Sequence, residues 1–341
     1  MSRRLYVYGF PSRYGGAGTE LHHQILLWRR LGVEVHIIPS SAGCRGEPLY
    51  NEMIAAGVVV HEYDQFSAIE RDAPVFGFCS AEFLEKIDRI RQHSINTVFA
   101  NCMTWLFELE KKCMATGKIR TFIYQSEAVR AQQMPILQAL NPSAKANFIT
   151  FTPYFDSAQF PFIQHRSSEF FGCGRISRQD PDKFARNTLH IYEYFVAPQL
   201  KRGLFLGFDG RSERKIGRPF SWIRTAVDHN VCSQQEFYRH CEIILQPTDT
   251  TENWPRIGLE AMASGSVLVV DNRGGWQRQV QHGLTGWLCD QERDFIYYAS
   301  KMAYEPNLRR DMAARARQRV EELSGAGIAQ ESWEGVFKLI M

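Results

Sequence analysis

Two doubly wound α/β domains in tandem are the fold that this sequence predicts, and three observations carry the prediction. Short unbroken apolar runs, rich in β-branched residues, alternate with stretches of helical periodicity along the chain, as in a parallel sheet covered on both faces. The alternation relaxes once, over "YFDSAQFPFIQHRSSE" (154–169), where periodicity fades and Pro and Ser appear, and then it restarts. The length, 341 residues, accommodates two domains of ordinary size.

In the first half, "RLYVYGF" (4–10) reads as a buried strand and "PSRYGGAG" as a glycine-rich turn. A helix follows, with Thr19 as N-cap, Leu21, Ile25, Leu27, Trp28 and Leu31 on its apolar face, and Gly32 as its stop. Further strands are expected at 33–39, 58–64, 96–102, 119–126 and 146–153, with helices at "AEFLEKIDRIRQHS" and "TWLFELEKKCMATG" between them. The second half offers strands at 170–177, 201–209, 241–248 and 266–271 and a helix over about 182–197. The expected organisation is residues 1–160, residues 161–325, and a last helix at 326–341 whose Trp333, Val336 and Phe337 suit docking onto the first domain. Two such domains would leave a cleft facing the carboxyl ends of both sheets, where open α/β folds bind ligands.

Composition narrows the function. Hydrophobic residues make up 44% and charged residues 23%, an ordinary globular mix. The net charge is +3, with a sequence pI near 8.4; this is too mild to argue for nucleic acid, and no nucleic-acid motif is found. Eight cysteines are scattered without C-x-x-C pairs or zinc spacing, which reads as buried thiols in a reducing compartment. "MSRR" passes straight into the first strand, so no signal peptide is read, and no apolar stretch is long enough to span a membrane. A cytoplasmic protein is expected.

The chemistry concentrates in "TENWPRIGLEAMASGSVLVV" (251–270). Pro255 is tolerated only in a helix's first turn, so a helix should start near 254–255 and end at Gly265. Glu252 then lies in the loop leaving a strand's carboxyl end, and Glu260 rides the helix. Amides of residues 253, 254 and 256 would suit an anionic or hydroxylated ligand.

Here the sequence resembles the retaining glycosyltransferases of the GT-B fold, often called glycosyltransferase group 1. The resemblance rests on Glu252 and Glu260 as an E-x7-E pair, "EAMASG" (260–265), the run "SVLVVD", Gly274–Gly275, and "HGLTGWL" (282–288), ordered and spaced as in that family. "GCGRISRQDPDKF" (172–184) looks like the family's Gly-Arg strand end followed by a lysine. The first strand–loop–helix unit is similar as well, although glycine-rich turns occur in many nucleotide-binding folds.

The resemblance implies two Rossmann-like domains with the last helix crossing back, and transfer of a sugar from a nucleoside-diphosphate sugar to a hydroxyl with retention. It implies no metal and no cofactor beyond that co-substrate. It assigns Arg175 and Lys183 to the diphosphate, with Arg178 a competitor for the lysine's place, and Glu252 to the sugar hydroxyls. Glu260 falls on the ribose, and Gly16, Asn253, Trp254 and Arg256 complete the donor contacts. Gly15, Asn101 and Gln125 are candidates for acceptor or sugar contacts; the acceptor itself is not readable.

Two departures stand out. Pro255 replaces the family's usual glycine three residues after the first Glu, removing one amide. No histidine ends a middle strand of the first domain. Both leave room for a non-catalytic sugar-nucleotide-binding protein; a nucleotide-sugar epimerase or sugar phosphorylase on the same scaffold would need acid/base or cofactor groups that are not found. "DPD" (180–182) reads as a helix cap rather than a metal motif. His22–His23 have no carboxylate at ligand spacing and read as packed or solvated residues, and the arginines of 307–322 read as a solvated face.

Overall fold

The computed structural model describes residues 3–13, 15–165 and 169–341; Tyr14 of the glycine-rich turn and residues 166–168 of the expected junction lie outside them. The chain forms two compact units, Met1–Phe155 with Ser324–Met341, and Asp156–Leu323.

The first unit holds strands β1 (Arg4–Tyr8), β2 (Glu34–Ile38), β3 (Val59–Val60), β4 (Val75–Phe78), β5 (Thr97–Asn101), β6 (Thr121–Tyr124) and β7 (Asn147–Thr150). They pair in parallel in the order β3-β2-β1-β4-β5-β6-β7, so the order reverses between β1 and β4. Successive residues of β1 serve opposite cores, as a doubly covered sheet requires. Leu5 and Val7 pack with Trp28 and Trp333, while Tyr6 and Tyr8 pack with Phe83 and Phe99. Trp333 belongs to the helix Ala326–Ile340, packs edge-on against Trp28, and donates its indole N–H to Gln24 (2.6 Å).

The second unit holds β8 (Phe170–Ile176), β9 (Leu200–Leu206), β10 (Ile223–Ala226), β11 (Ile243–Gln246), β12 (Val267–Asp271) and β13 (Gly286–Cys289). Their order is β10-β9-β8-β11-β12-β13, again parallel, with the reversal between β8 and β11. Phe171, Phe205, Ile243, Val267 and Met302 share its core.

Several local expectations are corrected. The first helix spans Gly16–Arg30, starting three residues before Thr19, because Gly15 at φ 86° lets the chain turn earlier; the Thr19 hydroxyl bonds back to the Gly15 carbonyl (2.6 Å). The strand expected at 58–64 shrinks to Val59–Val60, an edge position followed by polar residues. The helix expected over 182–197 becomes a 3-10 turn, Pro181–Lys183, and a helix Thr188–Tyr194. β4, β10 and β13 were not expected as strands. His22 does have a carboxylate partner, Glu52 at 2.7 Å, thirty residues away in sequence. Two arginines of 307–322 are structural rather than solvated. Arg309 is buried against Glu242 (2.5 Å), and Arg317 donates to the Phe160 and Ala263 carbonyls (both 2.7 Å). Of the cysteines, Cys79 and Cys102 are only half-buried.

Candidate functional site

In open α/β sheets, loops flanking the strand-order reversal form the ligand crevice. In the second unit these are the loops after β8 and β11, which carry Lys183 and Glu252, with Arg175 at the end of β8 itself.

Arg175 is the penultimate residue of β8 and is fully buried. Its guanidinium carbon stacks 3.4 Å from the Phe184 ring centroid, and one terminal nitrogen donates to the Lys183 carbonyl. Its Nε and Nη1 have no hydrogen-bond partner. Burial pushes its pKa down to about 9, against the pull of Tyr192 and Asp271, so it stays a cation at neutral pH. A buried cation with two idle N–H groups is costly unless an anion or acceptor meets it.

Lys183 closes the turn after β8, with Asp180 capping that turn from its side chain through the Asp182 amide. Its ammonium meets Glu252 Oε1 at 2.6 Å, both side chains being about one-fifth exposed. Lys215 adds a second tie between the same loops, reaching the Pro181 carbonyl (3.0 Å), Asp182 (3.6 Å) and Asp249 (2.9 Å). Arg178 instead pairs with Asp180 (2.9 Å).

The 251–255 loop leads into the helix Arg256–Ser264, whose N-cap is Pro255. It rests on Gly274–Gly275: the Gly275 amide donates to the Glu252 carbonyl (2.7 Å), and a Cβ on Gly275 would stand 2.2 Å from the Asn253 carbonyl oxygen. That close approach is what requires the glycine. Asn253 and Arg256 are buried, and Trp254 is half-buried with its indole N–H lacking a partner, as does the Thr250 hydroxyl. Glu260, one turn on, is 4% exposed. Its Oε2 accepts from Tyr238 (3.0 Å) and Gln234 (3.1 Å). Burial raises its pKa, with the Arg256 charge and the Tyr238 bond opposing. At the far side, Thr248 bonds Asp271 through its amide and hydroxyl (3.0 and 2.9 Å), and Arg273 reaches the Thr248 carbonyl.

The structure thus brings Arg175, Lys183, Asn253, Trp254, Glu252, Arg256 and Glu260 to one carboxyl edge of one sheet. Lys215, Tyr238, Gln234, Thr248, Asp271 and Arg273 are supporting residues that sequence reasoning did not single out. Lys215 sits in an unremarkable basic run, and Tyr238 is an ordinary aromatic on a short helix; neither carries a motif.

The remaining candidates belong to the first unit. Gly15 and Gly16 begin the helix after β1, at that sheet's own reversal. Gln125 follows β6 and is buried. Asn101, a candidate for an acceptor or sugar contact or else a loop hydrogen-bonder, shows the second arrangement here. It is fully buried, and its side chain is engaged by Trp105, Glu110, Gln133 and Met103, so it braces a loop. Among the described residues no group of three or more His, Cys, Asp or Glu could hold a metal ion, and no helix is long and apolar enough to cross a membrane.

Two parallel, doubly wound Rossmann-like sheets of this kind define the GT-B class, and solved structures agree. HepE from Anabaena, crystallised with UDP and glucose, matches with a TM-score of 0.73 at 13% identity, covering 98% of this chain and 100% of that one. Sucrose-phosphate synthase from Thermosynechococcus elongatus matches with a TM-score of 0.68 at 13% identity over 99% of both chains. Residues 232–319 match the family model for glycosyl transferases group 1. The human alpha-1,3/1,6-mannosyltransferase ALG2 is 27% identical over 130 residues, 37% of this chain and 30% of that protein's length. The chain thus has the GT-B fold, and its residues 232–319 are similar to the glycosyl transferases group 1 family.

Proposed function

We propose that this chain transfers a glycosyl group from a nucleoside-diphosphate sugar to an acceptor hydroxyl, with retention and without a metal. The observation that carries the reading is the buried Arg175 guanidinium, with two unpartnered N–H groups, standing beside the Lys183–Glu252 pair and the braced Glu260. When the bond from the anomeric carbon to the diphosphate oxygen breaks, negative charge grows on that oxygen, and Arg175 and Lys183 are placed to offset it. Glu252 orients the sugar through its hydroxyls, and Glu260 receives the ribose hydroxyls. The acceptor oxygen bonds to the anomeric carbon on the face the diphosphate leaves, and its proton passes to the departing phosphate oxygen. No general base is then required.

Incubating the protein with UDP-, GDP-, ADP- and dTDP-sugars tests this, with binding read by calorimetry and slow donor hydrolysis by chromatography. Binding and slow hydrolysis of at least one donor are expected, and NMR of a transfer product should show the donor's anomeric configuration kept. Pro255 in the N-cap, where it withholds one amide, favours a second reading: a sugar-nucleotide-binding protein without turnover. Tight binding with no hydrolysis of any donor would establish that reading instead.

A further inference from the structure

Trp105 lies in the loop between β5 and the helix Glu108–Ala115, and is 53% exposed. A single exposed apolar side chain is ordinary. What holds this one is not. Beneath it, fully buried Asn101 accepts from the Met103 amide (2.8 Å) and donates to the Trp105 carbonyl (3.1 Å). Gln133 donates to the Met103 carbonyl (3.1 Å), and Glu110 accepts from the Phe107 amide (3.2 Å). Asn101 joins the three by donating to Glu110 (2.9 Å) and Gln133 (3.1 Å). The Phe107 ring backs the indole, with centroids 4.6 Å apart. A hydrogen-bonded buried polar network rigidifies the backbone that it holds. This one pins the backbone before, at and after Trp105, fixing an indole at the carboxyl edge of the parallel sheet, one strand beyond the β1–β4 reversal.

The chemistry around the indole selects the ligand. No acidic or basic residue lies between Met103 and Phe107, so no phosphate is called for. Trp105 is the loop's one strongly exposed apolar residue, and the next exposed residue is acidic Glu108, paired with Lys111 (2.7 Å). A lipid surface asks for several apolar anchors with cations beside them. A pyranose ring asks for one flat aromatic face: its C–H groups are apolar and slightly positive, and the indole face is negative.

We propose that Trp105 is the stacking platform of an acceptor subsite, and that the acceptor is a carbohydrate. This rests on the transferase reading above. The test is NMR of the 15N-labelled full chain, whose seven tryptophans give seven indole N–H signals, with Trp105 assigned from Trp105→Phe. Maltose, cellobiose, mannobiose and chitobiose are titrated in turn. At least one should shift the Trp105 signal saturably and act as acceptor. Trp105→Ala should then raise its KM about tenfold, with the other six indole signals reporting an intact fold. A Trp105 signal unmoved by every saccharide, one moved only by phosphatidylglycerol vesicles, or a Trp105→Ala variant with unchanged KM would overturn the proposal. If a saccharide shifts the indole while no donor is hydrolysed, the sugar site stands and the transferase reading fails.

Discussion

In Glu260→Ala, the Tyr238 hydroxyl and the Gln234 amide both lose the oxygen they bond, and on the proposed reading a bound ribose loses its acceptor. A charged hydrogen bond is worth about 1.5–3 kcal/mol, so nucleotide affinity should fall about 10- to 100-fold by calorimetry. Glu252→Ala should instead lower kcat with a smaller effect on UDP or GDP affinity, since the proposed function assigns it to the sugar; equal losses of nucleotide affinity in the two variants would contradict that division. Glu110 makes a different residue-scale argument. Burial pushes its pKa up to about 8 from the ordinary 4.5, with the Phe107 amide and Asn101 opposing, and its Oε1 has no partner. The folded chain therefore keeps a proton that the unfolded chain has released. That contribution is fully present below pH 4.5 and is lost as pH rises towards 8. Glu110→Gln, a neutral isostere, should match the parent in Tm near pH 5 and exceed it by roughly 2–8 °C at pH 9. Parallel Tm profiles for the two would remove the buried carboxyl from the explanation.

Among the elements, the loop 251–255 depends on its seat. A methyl at Gly275 would meet the Asn253 carbonyl oxygen at 2.2 Å and the Pro255 ring at 2.6 Å, so Gly275→Ala must push the loop off. Donor turnover should fall by two orders of magnitude or so, for a displacement near 1 Å, and more steeply than thermal stability. A variant with parental turnover would show that the loop position is not critical. The sequence showed Gly274–Gly275 only as part of the family resemblance; that they seat the 251–255 loop is set by a long-range backbone approach that no local pattern displays. The parallel sheets were legible for a direct reason, the alternation of apolar runs with helical periodicity. β4 escaped notice because its four residues, "VFGF", are too few for a period, and β13 because it is embedded in a turn-rich motif. Arg175 was visible as a strand-end arginine, but its stacking on Phe184 comes from a turn nine residues on whose path no local pattern sets. The same limit hid Glu52 from His22 and Glu242 from Arg309, pairs made by folding rather than by spacing.

At the scale of the whole molecule, the chain leaves the first unit at Phe155 and returns to it at Ser324, so the first unit's core is completed by the last helix. Trp333 is fully buried there against Trp28, Phe76 and Phe151, and Val336, Phe337 and Ile340 join the same cluster. Truncating a buried Trp to Ala costs about 3–5 kcal/mol, and here it also strands the Gln24 amide oxygen that accepts the indole N–H. Hydrogen–deuterium exchange on Trp333→Ala should therefore show faster exchange in peptides covering β1, β4 and β5. The second unit carries its own core around Phe171, Phe205 and Ile243, and Arg175, Lys183, Glu252 and Glu260 all lie within that unit. Exchange in β8, β11 and β12 should stay near the parent's, and UDP or GDP, whichever binds the parent, should still slow exchange in the 251–260 segment. Loss of nucleotide protection in Trp333→Ala would show that nucleotide binding requires the first unit intact; retained protection would assign it to the second unit's own residues.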